Sequence, residues 1–178
     1  MPQPFLALNT EQTEKALRKY GEQLRDGKLT LSKFEVRAAK EIRDAVTVAF
    51  RFASGGPLNP PQLAMLNSLL AEQQHYFDRM VAGLRDGSIA LEAAPHRAAA
   101  YAGSTTTAQA YGVVTGKPAD SRFLWDGPDG EESCEDCGPR IGQTFTLDEL
   151  MAGGFPGQQT CLTNCRCDVT PVDEERAA

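Results

Sequence analysis

This chain lacks the residue patterns that most enzyme and membrane classes require. Its 178 residues include 2 histidines and 1 tryptophan, and aromatic side chains make up 7 %. Neither histidine belongs to a His-Glu-x-x-His pair: His75 lies in Gln73-Gln74-His75-Tyr76 and His96 follows Pro95. That excludes a zinc protease of this type. Gly-x-x-x-x-Gly-Lys-Ser/Thr, Gly-x-Ser-x-Gly and Gly-x-Gly-x-x-Gly are all missing, and with them the phosphate loop, the hydrolase elbow and the dinucleotide turn. No apolar run approaches the roughly 18 residues a membrane-spanning helix needs. Basic residues are outnumbered 18 to 24, for a net charge of −6. A general nucleic-acid binder would need a basic face to displace counterions from phosphate. The opening Met1-Pro2-Gln3-Pro4-Phe5-Leu6-Ala7-Leu8 has no basic residue and too short an apolar run for a secretory leader, so an oxidising compartment is not expected. Ser104-Thr105-Thr106-Thr107 reads as a helix-surface or kink feature, and Glu131-Glu132 and Asp173-Glu174-Glu175 as solvated charge. No enzyme is expected.

What the chain does have is cysteine, gathered late. All 5 cysteines fall in Cys134-Glu135-Asp136-Cys137-Gly138 and Cys161-Leu162-Thr163-Asn164-Cys165-Arg166-Cys167. Cys-x-x-Cys followed by glycine makes a tight turn that points two sulfurs at one centre, and a second cluster one loop later closes a tetrahedral zinc site. Structural disulfides are the competing reading, but an odd number leaves one thiol over. Cys134 and Cys137 supply the first pair. Cys161 and Cys165 are spaced to form a loop closing on the metal, while Cys165 and Cys167, at i and i+2, would share one face of an extended strand. The expected ligands are Cys134, Cys137, Cys161 and Cys165, with Cys167 a buried thiol or the alternative ligand. A closed site of four cysteines leaves no position for water, so the zinc is expected to be structural.

The rest of the chain predicts helices. Asn9 or Thr10 can cap a first helix to about Asp26, stopped by Gly27. Ser32-Lys33-Phe34-Glu35 spells a capping box, with Leu31 placed to staple onto Val36 and an apolar stripe of Phe34, Ile42, Ala45, Ala49 and Phe52. Asn59-Pro60-Pro61 starts a third helix running to about Arg85 through Leu63, Leu66, Leu70, Phe77, Met80, Val81 and Leu84. An Ala-rich fourth spans roughly Ala90 to Gly112, bent at Pro95. Leu-Arg-Asp-Gly recurs at residues 24–27 and 84–87, and Arg-Ala-Ala at 37–39 and 97–99, as an internal duplication would leave them. After a Gly/Pro/Thr/Ser linker, Arg122-Phe123-Leu124-Trp125 and Gly142-Gln143-Thr144-Phe145 read as short strands, and Thr146-Leu147-Asp148-Glu149 caps a helical turn. The expected fold is mainly α. A bundle of long helices over residues 1–115 and a linker at 116–121 precede a small zinc-stapled α+β module over 122–170, then an acidic tail at 171–178. A module this small rarely holds without a metal or disulfides.

The C-terminal stretch resembles the phage Mu F-like minor head, or head-morphogenesis, proteins. The matching residues are Cys134 and Cys137, Gly142 with Phe145, Pro156-Gly157, Cys161 and Asn164-Cys165-Arg166-Cys167. The helical part is similar to shorter members at Gly55-Gly56, Tyr76-Phe77-Asp78 and Arg97-Ala98 leading to Tyr101. Many members have His where Cys161 stands, which keeps a zinc ligand there and supports Cys161 over Cys167. The resemblance implies a structural virion component of a tailed bacteriophage, a minor head, capsid-associated or neck protein. Its partners would be major capsid, portal or neck proteins or further copies of itself, with neither membrane nor specific nucleic acid, and it would stay in the host cytoplasm until assembly. A zinc-ribbon regulatory or nucleic-acid-associated protein of a phage or bacterial locus is the alternative. That role would need Lys or Arg at the ribbon tips, where only Arg140 lies between Arg122 and Arg166.

Overall fold

The computed structural model describes residues 4–118, 120–128, 133–156, 158 and 167–172. The architecture is mainly helical, with a small antiparallel sheet near the C-terminus. Helix α1 spans Pro4–Arg25, α2 Leu31–Ala53 and α3 Pro60–Asp86. Helix α1 begins ahead of the Asn9/Thr10 cap expected from the sequence, and Asn9 instead donates from its side-chain amide to the Ala45 carbonyl of α2. The cap of α2 is Thr30, whose hydroxyl accepts from the Lys33 amide, and not Ser32. The expected Leu31–Val36 staple is not formed, because starting the helix at Leu31 turns Val36 to solvent, 68 % exposed. Phe52, expected in the buried stripe, is also on the surface. The stripe that is buried runs through Phe34, Ala38, Ile42, Ala45, Val46, Ala49 and Phe50, the spacing of one helix face.

Asn59 caps α3 as its sequence spells. The Asn59 side chain accepts from the Gln62 amide at 2.9 Å, Gln62 returns the bond to the Asn59 amide at 2.9 Å, and proline follows in the first turn. The Asn59→Ala variant loses the half of this cap that the Asn59 side chain accepts and should cost about 1 kcal/mol, read as a lower denaturation midpoint with unchanged slope.

The two Leu-Arg-Asp-Gly segments share a geometry. Gly27 and Gly87 both take positive φ, 68° and 80°. Two residues on, the Leu29 amide bonds Gln23 O at 2.9 Å and the Ile89 amide bonds Gly83 O at 2.8 Å. At the first stop the Lys28 amide also bonds Gln23 O at 2.8 Å, the six-to-one bond of a Schellman motif.

The Ala-rich segment is not one bent helix. Pro95 lies in the first turn of α4 (Ala94–Ala100), where its missing N–H costs nothing. A 3-10 turn at Tyr101–Gly103 then hands over to α5 (Ser104–Thr115). The change of direction lets α4 lie on α1 while α5 lies on α2. Buried hydroxyls hold this joint: Ser104 donates to Gln73 Oε1 at 2.5 Å, Thr105 to the Ala102 carbonyl at 2.7 Å, and Thr105 shares a 2.6 Å bond with Thr10 of α1. Helix α5 is buried around most of its circumference, as a helix with little amphipathic bias must be.

The sheet has the order β2-β1-β3, from β1 (Arg122–Asp126), β2 (Thr144–Thr146) and β3 (Asp168–Pro171), all antiparallel. Thr146 caps α6 (Leu147–Gly153) in a capping box with Glu149, as its sequence predicts. Strand β3 falls partly where the sequence reads as the start of a polar tail. Its Val169 sits opposite Trp125 and is buried. One continuous apolar cluster runs from Leu17 in α1 to Val169 in β3. Among the described residues, no helix is long and apolar enough to cross a membrane.

Burial keeps two phenols protonated in this core. The Tyr111 hydroxyl is pushed up to about 12 by burial, then by the Glu72 carboxylate, against a hydrogen bond from Gln158. Burial also pushes Tyr101 up to about 12, against the nearby Arg97 and Arg79. Unfolded, each would ionise near the ordinary 10.0. The stability they carry is therefore fully present below that value and is lost as pH climbs through the folded one. Between about pH 10 and 12, the denaturation midpoint should fall. The Tyr101 and Tyr111 phenolate absorbance should appear together with loss of helical signal, whereas its appearance in fully helical protein would refute their burial.

Candidate metal centre

Cys134 and Cys137 are placed by a turn that folds the backbone back on itself. The Cys137 and Gly138 amides both bond the Cys134 carbonyl, at 3.1 and 2.9 Å. A 3-10 turn, Gly138–Arg140, continues directly, its last amide bonding Cys137 O at 2.9 Å. Cys137 is 1 % exposed and belongs to the apolar cluster; Cys134 is half-buried and packs against it.

Cys167, 2 % exposed, immediately precedes β3. The β1–β3 register pairs Asp126 with Asp168 and Trp125 with Val169, so Cys167 comes opposite Gly127, on the face shared by Trp125 and Val169. Gly127 is required there by space. A Cβ on it would lie 2.7 Å from Cys167 Sγ and 3.1 Å from Ile141 Cδ1. Ile141 itself leaves the Cys134–Cys137 turn, its amide bonding Cys137 O at 3.2 Å.

Cys161 and Cys165 lie outside the described residues. Among the described residues, no three His, Cys, Asp or Glu side chains form a group that could hold a metal ion. The donor set nonetheless fits zinc in kind: two thiols on one tight turn, a third at the start of the adjoining strand, and two more in the segment between α6 and β3. Trp125 leaves one polar atom unanswered. Its Nε1 is buried and finds no hydrogen-bond acceptor among the described residues, a state that normally costs about 1–3 kcal/mol.

Arg140 and Asp168 are the residues here whose roles sequence reasoning missed. The Arg140 guanidinium lies over the Trp125 ring, 4.9 Å from its centroid, and 5.8 Å from that of Phe145. It also donates to the Gly153 and Gly154 carbonyls at 2.6 and 2.9 Å, capping the end of α6. Just beyond, Phe155 is buried and stacks on Tyr111 of α5, with centroids 4.0 Å apart. On the other side of the sheet, Asp168 accepts from Gln109 of α5 at 3.2 Å. Burial pushes the Asp168 carboxyl above the usual carboxylate range; the Asp126 carboxylate opposite pushes it the same way, against a bond from the Val169 amide. A lone arginine and a lone aspartate in polar runs carry no periodic signal that would have marked them.

The histidines are elsewhere. His75 is exposed on α3, and His96 accepts from Arg18 at 3.3 Å on the α1–α4 surface. Ser104, Thr105 and Thr107 are buried, not on the helix surface, and Ser104 spends its proton on Gln73. Comparison with protein-family models, with curated proteins and with solved structures finds no match to this chain.

Proposed function

We propose that the chain is a non-enzymatic structural component of a tailed-bacteriophage particle, a minor head, capsid-associated or neck protein with a structural zinc site. The observation that carries the zinc is the closed Cys134–Cys137 turn beside buried Cys167, in a module with few large apolar residues. The ligands would be Cys134 and Cys137 with Cys161 and Cys165, Cys167 being the alternative. Zinc bound there supplies no chemistry beyond cross-linking; it holds the turn and the strand entry together and contributes folding energy directly. The particle assignment rests on the resemblance of the cysteine module to the Mu F-like minor head proteins. Capsid, portal or neck proteins are the proposed partners, with the virion as destination after a stay in the host cytoplasm.

The zinc-ribbon regulator is disfavoured by the position of Arg140. The only basic residue between Arg122 and Arg166 is folded over Trp125 and committed to two carbonyls, not held out toward phosphate.

Elemental analysis of the purified protein, of Cys161→Ser and of Cys167→Ser tests the site. A single zinc per chain that survives Cys167→Ser and is lost in Cys161→Ser supports the proposed ligands; metal-free protein with cysteines oxidised in pairs overturns the site. Sedimentation of the protein with assembled particles tests the role. A free species that never joins particles, and whose DNA binding weakens steeply with salt, would overturn it.

A further inference from the structure

We infer that the cleft between α2 and α3 binds a small carboxylic acid. Arg43 and Gln73 would hold the carboxylate, and apolar walls would enclose a body of one ring or a short branched chain. This goes beyond the virion reading and uses no cysteine, so neither depends on the other.

The spacing of residues on the two helices makes the room. On α2, Ala39, Ile42 and Arg43 fall at i, i+3 and i+4 and share a face. On α3, Leu70, Gln73, Gln74 and Phe77 do the same over two turns. These faces meet around a cavity of about 220 Å³. Ala39 and Ala71 line it with one methyl each, so nothing longer fills it. An apolar cavity of about 150 Å³ takes benzene, and sites for drug-sized ligands begin near about 300 Å³. The size between them suits a single ring. Ile42 and Phe77, both buried, and Leu70, half-buried, are the apolar walls.

The polar groups fix the chemistry of the occupant. Gln73 is 8 % exposed, and its carbonyl oxygen is taken by the Ser104 hydroxyl at 2.5 Å. Its amide nitrogen has no acceptor among the described residues, yet it is not sealed in protein as Trp125 Nε1 is. The open space it meets is the cavity that Gln73 lines. Arg43, exposed at the rim, has no carboxylate partner among the described residues. Acidic side chains of these two helices are engaged elsewhere: Asp44 by Lys40, Asp78 by the Gln74 amide at 2.6 Å, and Glu35 by Arg85 at 3.1 Å. Both unanswered groups are donors, one of them cationic, and no acidic residue lines the cavity. A carboxylate satisfies the two together, since its two oxygens match a guanidinium and leave room for an amide. An amine satisfies neither.

Titration of the isotope-labelled full chain with benzoate, followed by nuclear magnetic resonance, tests this. Benzoate should shift the Gln73 side-chain amide and the backbone amides of Ile42 and Leu70. Benzylamine, a ring of the same size with the opposite charge, should not. Arg43→Gln changes an exposed position, so it should keep the fold and weaken benzoate at least about tenfold. Ala39→Leu should fill the cavity and abolish the shifts with helical signal unchanged; if that variant fails to fold, Arg43→Gln still decides. Benzoate that leaves the Gln73 amide unmoved overturns the inference. So does equal binding of benzylamine, or undiminished affinity in Arg43→Gln. Each of these outcomes leaves the zinc and particle readings standing.

Discussion

On the proposed zinc site, Cys137→Ser is expected to abolish zinc binding and to unfold β1, β2 and α6 while the long helices persist. Cys137 is the more deeply buried member of its pair, so serine would leave a hydroxyl in an apolar site as well as removing a ligand. Structural zinc contributes about 10–16 kcal/mol in finger peptides. The apolar residues of the module, chiefly Phe123, Trp125, Leu150, Phe155 and Val169, contribute roughly 1.5–3 kcal/mol each, which the entropy of ordering the segment, at about 1–2 kcal/mol per residue, already outweighs. The measurements are elemental zinc, which should fall to background, and amide exchange, which should reach unprotected rates across β1 and β2. Normal zinc content in Cys137→Ser would show that the turn is not the site.

Gly112→Ala should be the most damaging methyl in the helical body. A Cβ at Gly112 would stand 2.5 Å from the Phe50 carbonyl oxygen and 2.8 Å from Ala53 Cβ, so α5 could no longer lie as close on α2. Gly21 is the counterpart on α1, where a Cβ would meet Pro95 Cα of α4 at 2.6 Å. Backbone cannot rotate aside as a side chain can. Overpacking of this kind costs about 1–3 kcal/mol and occasionally more, and Gly112→Ala and Gly21→Ala should fall at the upper end. Gly83→Ala meets only Ile89 and Ser88 side chains and should cost less. Gly56→Ala meets nothing within 4 Å and should be close to neutral. Thermal melts of the four variants rank them, and equal midpoints would refute the close approach of these helices.

The long helices were legible because local signals there agree with packing. Asn59, Thr146, Gly27 and Gly87 each stop or start an element through their own side chain or lack of one. The sequence points to Ser32 as the cap of α2, but the helix starts one residue earlier, at Leu31, with Thr30 as its cap and Phe34 and Ala38 on its buried face. The break at Tyr101–Gly103 was hidden because its cause lies 31 residues away, in the Ser104–Gln73 bond, and 95 away, in Thr105–Thr10. Strand β3 was hidden likewise: Asp-Val-Thr-Pro has little strand character until β1 offers it a partner. At the candidate site the cysteine turn could be read from spacing alone. Arg140, Gly127 and Gln109 could not, since each matters only through a contact with a residue distant in the chain.

Trp125 is the only tryptophan, and it is fully enclosed in β1 between Arg140 and Phe145. Indole emission from this protein therefore comes from one place, while its far-ultraviolet dichroism comes almost wholly from α1 to α5. The two optical signals are physically separate gauges, one for each part of the chain. A melt recorded by both at once will show directly whether the sheet and the helices come apart as one unit or in sequence.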